Sequence, residues 1–314
     1  MSRTAESRCK LCGRNATLLQ SHVIPAFVAR WITETSATGF LRTFHEPNRR
    51  VQDFKTVRLL CQSCEQRLSS AEGKFARLVF VPFHEGRSRF PYEDWLLYFA
   101  VSLAWRCSVT SDQEQLAKYP QHVAAVEGAR SAWADFLFGS TDRIAPYRFN
   151  IFFTPAGVTS SSVLAEGLAW YLLRAPDATP VYSAARTAIY VKLPGMFFWT
   201  SIAPPDPGGW RGTKIGRRGT LRSKNQVIEE RPVGQFVMNR VETVFKRMSD
   251  LSPKQRQRID DAIRGNPERA AVSKTFDALL DDERIRGENV RKSQGPSNIG
   301  LQPTAAGRKS SRRG

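Results

Sequence analysis

Four of the five cysteines in this chain fall into two pairs with the same spacing, Cys9 with Cys12 and Cys61 with Cys64. Two intervening residues let both thiolates of a pair reach one metal ion from a tight turn. Two such pairs complete the tetrahedral shell of four sulfurs that Zn²⁺ favours. Disulfide pairing is the alternative, but no other feature of the chain indicates an oxidising compartment. We therefore expect the four cysteines to bind a structural zinc ion.

A second group of residues with possible chemistry is a basic stretch between residues 210 and 224. It contains six cations and no acid, interleaved with glycines: Arg211, Lys214, Arg217, Arg218, Arg222 and Lys224. A flexible basic loop can follow a phosphate backbone and bind it without reading the base sequence. The alternative is an ordinary solvated loop. We predict a nucleic-acid contact here.

The cysteine pairs frame a histidine in the step Ser21-His22-Val23-Ile24-Pro25, and the second pair lies in Leu59-Leu60-Cys61-Gln62-Ser63-Cys64-Glu65. This order resembles the zinc-stabilised branch of the HNH endonucleases, over about residues 8–80. Members of that family fold a β-β-α finger in which a hairpin carries a catalytic histidine. The helix that follows supplies a ligand for the active metal, and the zinc clamps hairpin and helix together. The resemblance implies a metal-dependent DNA endonuclease.

By this resemblance His22 is the general base, which deprotonates a water that attacks the phosphorus of a DNA backbone. Imidazole suits the task because its ordinary pKa of about 6.5 leaves a useful neutral fraction at pH 7. A divalent ion, Mg²⁺ or Mn²⁺, would offset the charge that builds up on the departing oxygen. The alternative is that His22 packs within the finger or forms a hydrogen bond with a cysteine sulfur.

The sequence departs from the family pattern at three positions. Ser21 stands where the family usually places Asp or His as a metal ligand, Thr56 where it usually carries Asn, and Glu65 where it usually has His or Asn. A carboxylate is a good Mg²⁺ ligand, so Glu65 could hold the ion alone or with Glu72 on the same helix face. The alternative is a helix N-terminal acid and a surface charge. Three side chains between the cysteine pairs could also fold over the site: His45, Asn48 and Asp53.

The elements that must position these residues follow from local patterns. We predict a short strand over residues 18–24 that ends at Pro25, then a helix that Pro25 opens. Residues 33–56 are predicted to form a polar insertion, with a loop at residues 35–39 and a turn at Pro47-Asn48. Helical spacing of apolar residues predicts a helix that starts at or just after Cys64.

Beyond Pro82 the patterns predict a buried helix over residues 92–109 and a second helix to residue 138. A strand is predicted over residues 147–154, and two strands, 188–193 and 196–200, are joined by a turn at Pro194-Gly195. Residues 204–225 are predicted to be loop. Three helices are predicted over residues 237–248, 253–263 and 267–280.

The formal net charge of +18 is large for 314 residues and indicates a polyanionic partner. The excess is concentrated at the two ends. Residues 284–314 carry eight basic side chains against one acid, and residues 1–90 carry 15 against 7. The alternative is a basic surface that serves solubility. We expect nucleic acid as the partner, in particular double-stranded DNA.

No apolar run approaches the roughly 20 residues that span a bilayer, and residues 1–6 lead directly into the first cysteine pair, without room for a signal peptide. We expect a cytoplasmic protein with no membrane partner.

Together these patterns predict an α+β protein. Residues 1–88 would form a zinc-stapled, treble-clef-like β-β-α finger, residues 89–250 an α+β domain, residues 251–286 C-terminal helices, and residues 287–314 a disordered basic tail. Three functions remain open: a metal-dependent HNH-type endonuclease that uses His22 and Glu65, a non-catalytic nucleic-acid-binding protein that retains the zinc scaffold, and a zinc-stapled protein-interaction factor with little affinity for DNA.

Overall fold

The computed structural model describes residues 7–154, 165–206, 208–248 and 250–294, with side chains as far as Asn289. Helices and strands are mixed along the chain, which confirms the α+β class. None of the helices in these ranges is both long enough and apolar enough to cross a bilayer.

The N-terminal part is built on two small antiparallel pairs of strands. Strands β1 (Ser7–Arg8) and β2 (Asn15–Ala16) pair across the turn that holds the first two cysteines. Strand β3 (Leu18–His22) pairs with β6 (Thr56–Cys61), so that Leu18 lies opposite Cys61 and His22 opposite Thr56. The ladder therefore places the cysteines at one end and the histidine at the other.

Helix α2 (Gln62–Phe75) follows β6 without a loop and begins slightly before the predicted start at Cys64. It buries Leu68 and Phe75 completely. A π-helical turn (Ala76–Phe80) and the short helix α3 (Val81–His84) extend it.

The segment between β3 and β6 is more ordered than predicted. Helix α1 (Ala26–Glu34) begins directly after Pro25, as expected. The loop predicted at residues 35–39 is confirmed. The turn predicted at Pro47-Asn48 was wrong, because both residues lie in β5 (Glu46–Val51), which forms an antiparallel hairpin with β4 (Leu41–Thr43). Leu41 and Phe44 of this hairpin are buried, so tertiary packing stabilises strands that a polar local sequence does not indicate.

The centre of the fold is a five-stranded sheet in the order β13-β8-β11-β10-β9. Its long strands are β8 (Arg148–Phe153), β9 (Asp177–Ser183), β10 (Arg186–Leu193) and β11 (Met196–Ala203). The predicted hairpin is confirmed, with Leu193 opposite Met196. Gly195 in the turn has a φ of 71°, which favours glycine, and a Cβ there would meet Phe83 at 2.6 Å.

Helices cover both faces of this sheet. Strand β7 (Arg89–Tyr92) leads into the buried helix α4 (Asp94–Thr110), followed by α5 (Gln113–Ala117) and α6 (Pro120–Phe138). The hydrophobic cluster on this side extends from Cys9 to Leu221, so it runs across the domain boundary predicted at residue 88. A second cluster joins Tyr190 and Trp199 of the sheet to Phe44 and Val241.

The second cluster is formed with helices α7 (Leu168–Arg174) and α8 (Arg231–Met248). Helices α9 (Pro253–Gly265), α10 (Pro267–Ala271) and α11 (Lys274–Gln294) follow. Asp282 of α11 accepts the backbone N–H groups of Ala169 and Trp170 at 2.7 and 3.0 Å. Helix α11 continues to Gln294, so residues 287–294 are helical rather than disordered; residues 295–314 lie outside the described ranges.

The prediction of loop over residues 204–225 was wrong in part. Four short strands lie in and just after this stretch: β12 (Trp210–Arg211), β13 (Lys214–Ile215), β14 (Gly219–Arg222) and β15 (Val227–Ile228). Strand β13 joins the edge of the central sheet, β14 pairs with β7, and β12 pairs with β15. Buried Ile215 and Leu221 anchor them.

Candidate functional site

The four cysteines of the two pairs meet in one cluster, in which all four Sγ atoms lie within 4.8 Å of one another. The Sγ atoms of Cys12 and Cys61 are 3.8 Å apart. A tetrahedral ion with metal–sulfur bonds of about 2.3 Å sets neighbouring sulfurs about 3.8 Å apart, so the spacing fits a four-sulfur metal shell. Four cysteines are thus positioned to hold a metal ion.

Backbone and hydroxyl groups surround the cluster and affect the ionisation of the thiols. The backbone N–H of Cys61 donates to the Cys9 Sγ at 3.4 Å, and the Ser63 Oγ lies 3.3 Å from the Cys61 Sγ. Burial raises the pKa of the Cys61 thiol, but hydrogen bonds with Ser63 and Cys64 outweigh burial and lower it to about 6. Burial raises the pKa of Cys64 well above its ordinary value. A bound cation is therefore what would hold all four as thiolates.

Ser21 and Glu65 are in direct contact. The fully buried Ser21 donates its hydroxyl to the Glu65 Oε2 at 2.7 Å. Strand β3 supplies the serine, and the first turn of α2 supplies the carboxylate. The β3–β6 ladder sets this contact, because it brings the start of α2 alongside β3.

His22 is paired with a carboxylate that the sequence offered only as one of several candidates. Its Nε2 lies 2.8 Å from the Asp53 Oδ2, and the Asp53 Oδ1 accepts the backbone N–H of Phe54 at 2.8 Å. The side chains of His22 and Asp53 are 22% and 42% exposed, so solvent reaches both. An ionised carboxylate only accepts hydrogen bonds, so a neutral His22 in this contact would carry its hydrogen on the Nε2 and offer the Nδ1 as an acceptor.

An arginine that the sequence analysis did not single out forms a hydrogen bond with the backbone of His22. Arg106 of the buried helix α4 is 1% exposed and donates from its Nη1 to the His22 carbonyl oxygen at 2.8 Å. Its Nη2 forms an ion pair with the Glu72 Oε1 at 2.5 Å. Glu72 is therefore engaged by Arg106 and does not join Glu65 in a metal site. The sequence did contain an indication of this ion pair, because a charged residue such as Arg106 in an otherwise apolar helix needs a partner of opposite charge.

The other two candidates between the cysteine pairs turn toward the C-terminal helices. Asn48 donates to the Asp250 carbonyl oxygen at 3.0 Å and accepts the backbone N–H of Ser252 at 2.8 Å. The Nδ1 of His45 lies 3.4 Å from an Nη1 of Arg247. Of these three candidates, Asp53 is the one in contact with His22.

The six basic residues predicted to contact nucleic acid differ in their surroundings. Arg211 forms an ion pair with Glu229 at 2.6 Å, and Arg217 one with Asp142 at 3.2 Å. The other four are exposed and have no acidic partner within the described ranges: Lys214, Arg218, Arg222 and Lys224. The β7–β14 ladder places Arg89 opposite Arg222. Positive charge is therefore concentrated along the β7–β14 strand pair, which we call the basic edge.

Comparison of the chain with protein-family models, with curated proteins and with solved structures finds no match in any of the three.

Proposed function

We propose that the chain is a divalent-metal-dependent DNA endonuclease of the HNH type, with a structural zinc ion on its four cysteines. The observation that carries this proposal is the hydrogen bond between Ser21 and Glu65, 2.7 Å long. These residues occupy the two positions, one on a strand and one on the following helix, at which the HNH family places ligands of its active metal. Their contact supports a β-β-α arrangement of β3, β6 and α2. Residues 23–55 are inserted between the two strands of its hairpin.

Zinc is the ion that best matches the cysteine cluster. Four sulfur donors within 4.8 Å of one another favour Zn²⁺ over Mg²⁺ or Ca²⁺, which prefer oxygen donors. All four positions are taken by protein ligands, so the site is closed and structural. This ion would fasten the β1–β2 turn to the start of α2, in the manner of a treble-clef finger.

The His22–Asp53 pair supports the proposed chemistry of the histidine. Asp53 holds the Nε2 of His22, so the Nδ1 is free to accept a proton from a water beside a DNA phosphate. Arg106 fixes the backbone of His22 from within the core. The carboxylate of Glu65 would hold a Mg²⁺ or Mn²⁺ ion, with waters and the phosphate completing its shell. When bound, that ion would offset charge on the departing oxygen.

Plasmid nicking in the presence of Mg²⁺ or Mn²⁺ tests this proposal. We expect His22→Ala to lower the cleavage rate by a factor of roughly 10² or more, the usual scale for removing a general base. Asp53→Asn should lower it by less, because the imidazole remains, and Glu65→Gln should raise the Mg²⁺ concentration needed, since a neutral ligand replaces an anionic one.

The matched control is Asp260→Asn, which removes an exposed carboxylate of α9 and should leave the rate unchanged. Zinc content and DNA binding should survive in every variant. Equal cleavage by the wild type and by His22→Ala would assign the cutting to another part of the chain or to a contaminant.

The exposed basic edge favours a second candidate, a non-catalytic nucleic-acid-binding protein on the same scaffold. In either case binding to double-stranded DNA should weaken steeply with salt, because each neutralised phosphate releases counterions. We expect Arg222→Gln and Lys224→Gln each to reduce the slope of log affinity against log salt by about 1. Arg211→Gln is the control, because Glu229 already neutralises Arg211.

Salt-independent binding, or no binding at low salt, would contradict the nucleic-acid partner. Salt-dependent binding without divalent-dependent cleavage would favour the second candidate over the nuclease.

A further inference from the structure

A cavity of about 260 Å³ opens beside the histidine, between the β4–β5 hairpin, the C-terminal end of α4, helix α7 and strand β9. Val23 and Phe54, the residues that follow His22 and Asp53, form part of its wall. This volume is slightly below the range of about 300–1,000 Å³ that is usual for small-molecule sites. It therefore suits one small ligand rather than a length of polymer.

The wall carries three cations that have no acidic partner within ion-pair distance in the described ranges: Arg42, Lys55 and Arg174. Arg42 donates to the Gln255 Oε1 at 3.0 Å, but its buried Nε has no partner. Arg174 is 7% exposed and donates to the Thr35 Oγ1 and to the Ile32 carbonyl oxygen. The half-buried Arg42 and the buried Arg174 thus donate only to neutral acceptors.

The acidic residue of the wall does not offset these charges. Asp177 is 3% exposed, and Arg240 donates to both of its carboxylate oxygens, at 2.8 and 2.9 Å. Tyr171 donates a third hydrogen bond to Asp177, at 3.0 Å. Burial lowers the pKa of Arg174 to about 10, and burial together with Arg50 and Arg258 lowers the pKa of Arg42. An anion in the cavity would stabilise both charged forms.

The remaining wall is apolar and partly aromatic. Phe54 and Trp170 are half-buried and line the same space, and Phe44, Pro176 and Pro180 close it. Aromatic side chains of this kind offer ring faces on which a flat ring can stack. A flat ring and an anionic group are thus the two features that a ligand needs here.

We propose that this cavity binds a nucleoside 5′-monophosphate, with the phosphate on Arg42, Lys55 and Arg174 and the base against Phe54 and Trp170. Guanidinium groups match phosphate through parallel hydrogen bonds, and the three cations suit its double charge. The nucleotide can be free or can be the 5′ end of a strand. The proposal rests on the cavity and does not require cleavage.

Isothermal titration of the full chain with deoxyadenosine 5′-monophosphate tests it, in the His22→Ala background and without added divalent ions, so that no strand is cut. We expect the monophosphate to bind at least tenfold more tightly than deoxyadenosine, because charge-assisted bonds to the phosphate are lost in the nucleoside. A 5′-phosphorylated oligonucleotide is the second arm. Tighter binding of this oligonucleotide than of the same strand with a 5′-hydroxyl, lost in Lys55→Gln, assigns the site to strand ends; equal binding of the two strands assigns it to free nucleotide.

Two variants separate the roles of charge and ring. Lys55 is exposed, and Lys55→Gln should lower the affinity for the monophosphate about tenfold and leave the affinity for deoxyadenosine unchanged. Trp170→Leu should lower the affinity for both ligands, since it removes an aromatic ring on which the base can stack. Arg58→Gln is the control, because Arg58 is an exposed cation of β6 outside the wall.

Zinc content and the far-ultraviolet circular dichroism spectrum should match the parent in each variant. Absence of monophosphate binding would overturn the proposal. So would equal affinity for the monophosphate and the nucleoside, or equal loss of affinity in Lys55→Gln and Arg58→Gln.

Discussion

Replacing Cys61 by serine is expected to abolish zinc binding and to unfold the N-terminal part of the protein. Cys61 is the last residue of strand β6 and is 7% exposed, and its Sγ lies 3.8 Å from the Sγ of Cys12. Structural zinc contributes about 10–16 kcal/mol to the folding of small zinc-binding units, more than most domains have to spare. The hydroxyl of serine is a poor substitute for a thiolate, so the loss should be close to complete.

Elemental analysis of protein purified under reducing conditions measures the first effect. The wild type should carry about one zinc per chain and Cys61→Ser close to none. In Cys61→Ser, the backbone amides of β1, β2 and the β3–β6 ladder should exchange their hydrogens faster than in the wild type. The protection in α4 should fall less, because the sheet-side contacts of α4 do not depend on the cysteines.

The fifth cysteine provides the control. Cys107 lies in α4, is 3% exposed and is outside the cysteine cluster. Cys107→Ala should keep one zinc per chain and native protection of residues 7–64. A wild type without zinc, or a disulfide within either cysteine pair, would contradict the metal centre.

Replacing Glu72 by alanine is expected to lower the free energy of unfolding by about 3–5 kcal/mol, the scale for leaving one charge of a buried ion pair without its partner. Arg106 is 1% exposed and Glu72 is 17% exposed. Loss of the carboxylate leaves a guanidinium in the core, where it cannot give up its proton. Glu72→Gln should lose less, because the amide oxygen still accepts a hydrogen bond.

Urea unfolding gives the free energies. Glu127→Ala removes an exposed carboxylate from helix α6 and should change stability little. The double variant Glu72→Met with Arg106→Met should recover much of the loss, since no unpaired charge remains. Equal effects of Glu72→Ala and Glu127→Ala would show that the ion pair does not stabilise the fold.

The same variant has a consequence for the site. Arg106 also donates to the His22 carbonyl oxygen at 2.8 Å, so Glu72→Ala should lower any His22-dependent cleavage even at temperatures where the protein stays folded.

Local sequence was sufficient for several parts of this protein. The tight turn between Cys9 and Cys12, the helix that begins after Pro25 and the hairpin at Pro194-Gly195 were all predicted and are all present. These features depend on a few neighbouring residues: a tight turn, a ring that fixes φ, and a glycine at positive φ. Such preferences act over one or two turns of chain and need no distant partner.

Only the tertiary structure decided which side chains meet. Asp53 reaches His22, and Glu65 reaches Ser21, because the β3–β6 register brings distant segments together. Glu72 turns to Arg106, which belongs to another helix. The β4–β5 hairpin and the basic strands near residue 220 form where packing against the rest of the fold stabilises sequences with little strand character. Contacts between residues far apart in the chain depend on how the whole core packs, and a local pattern does not contain that information.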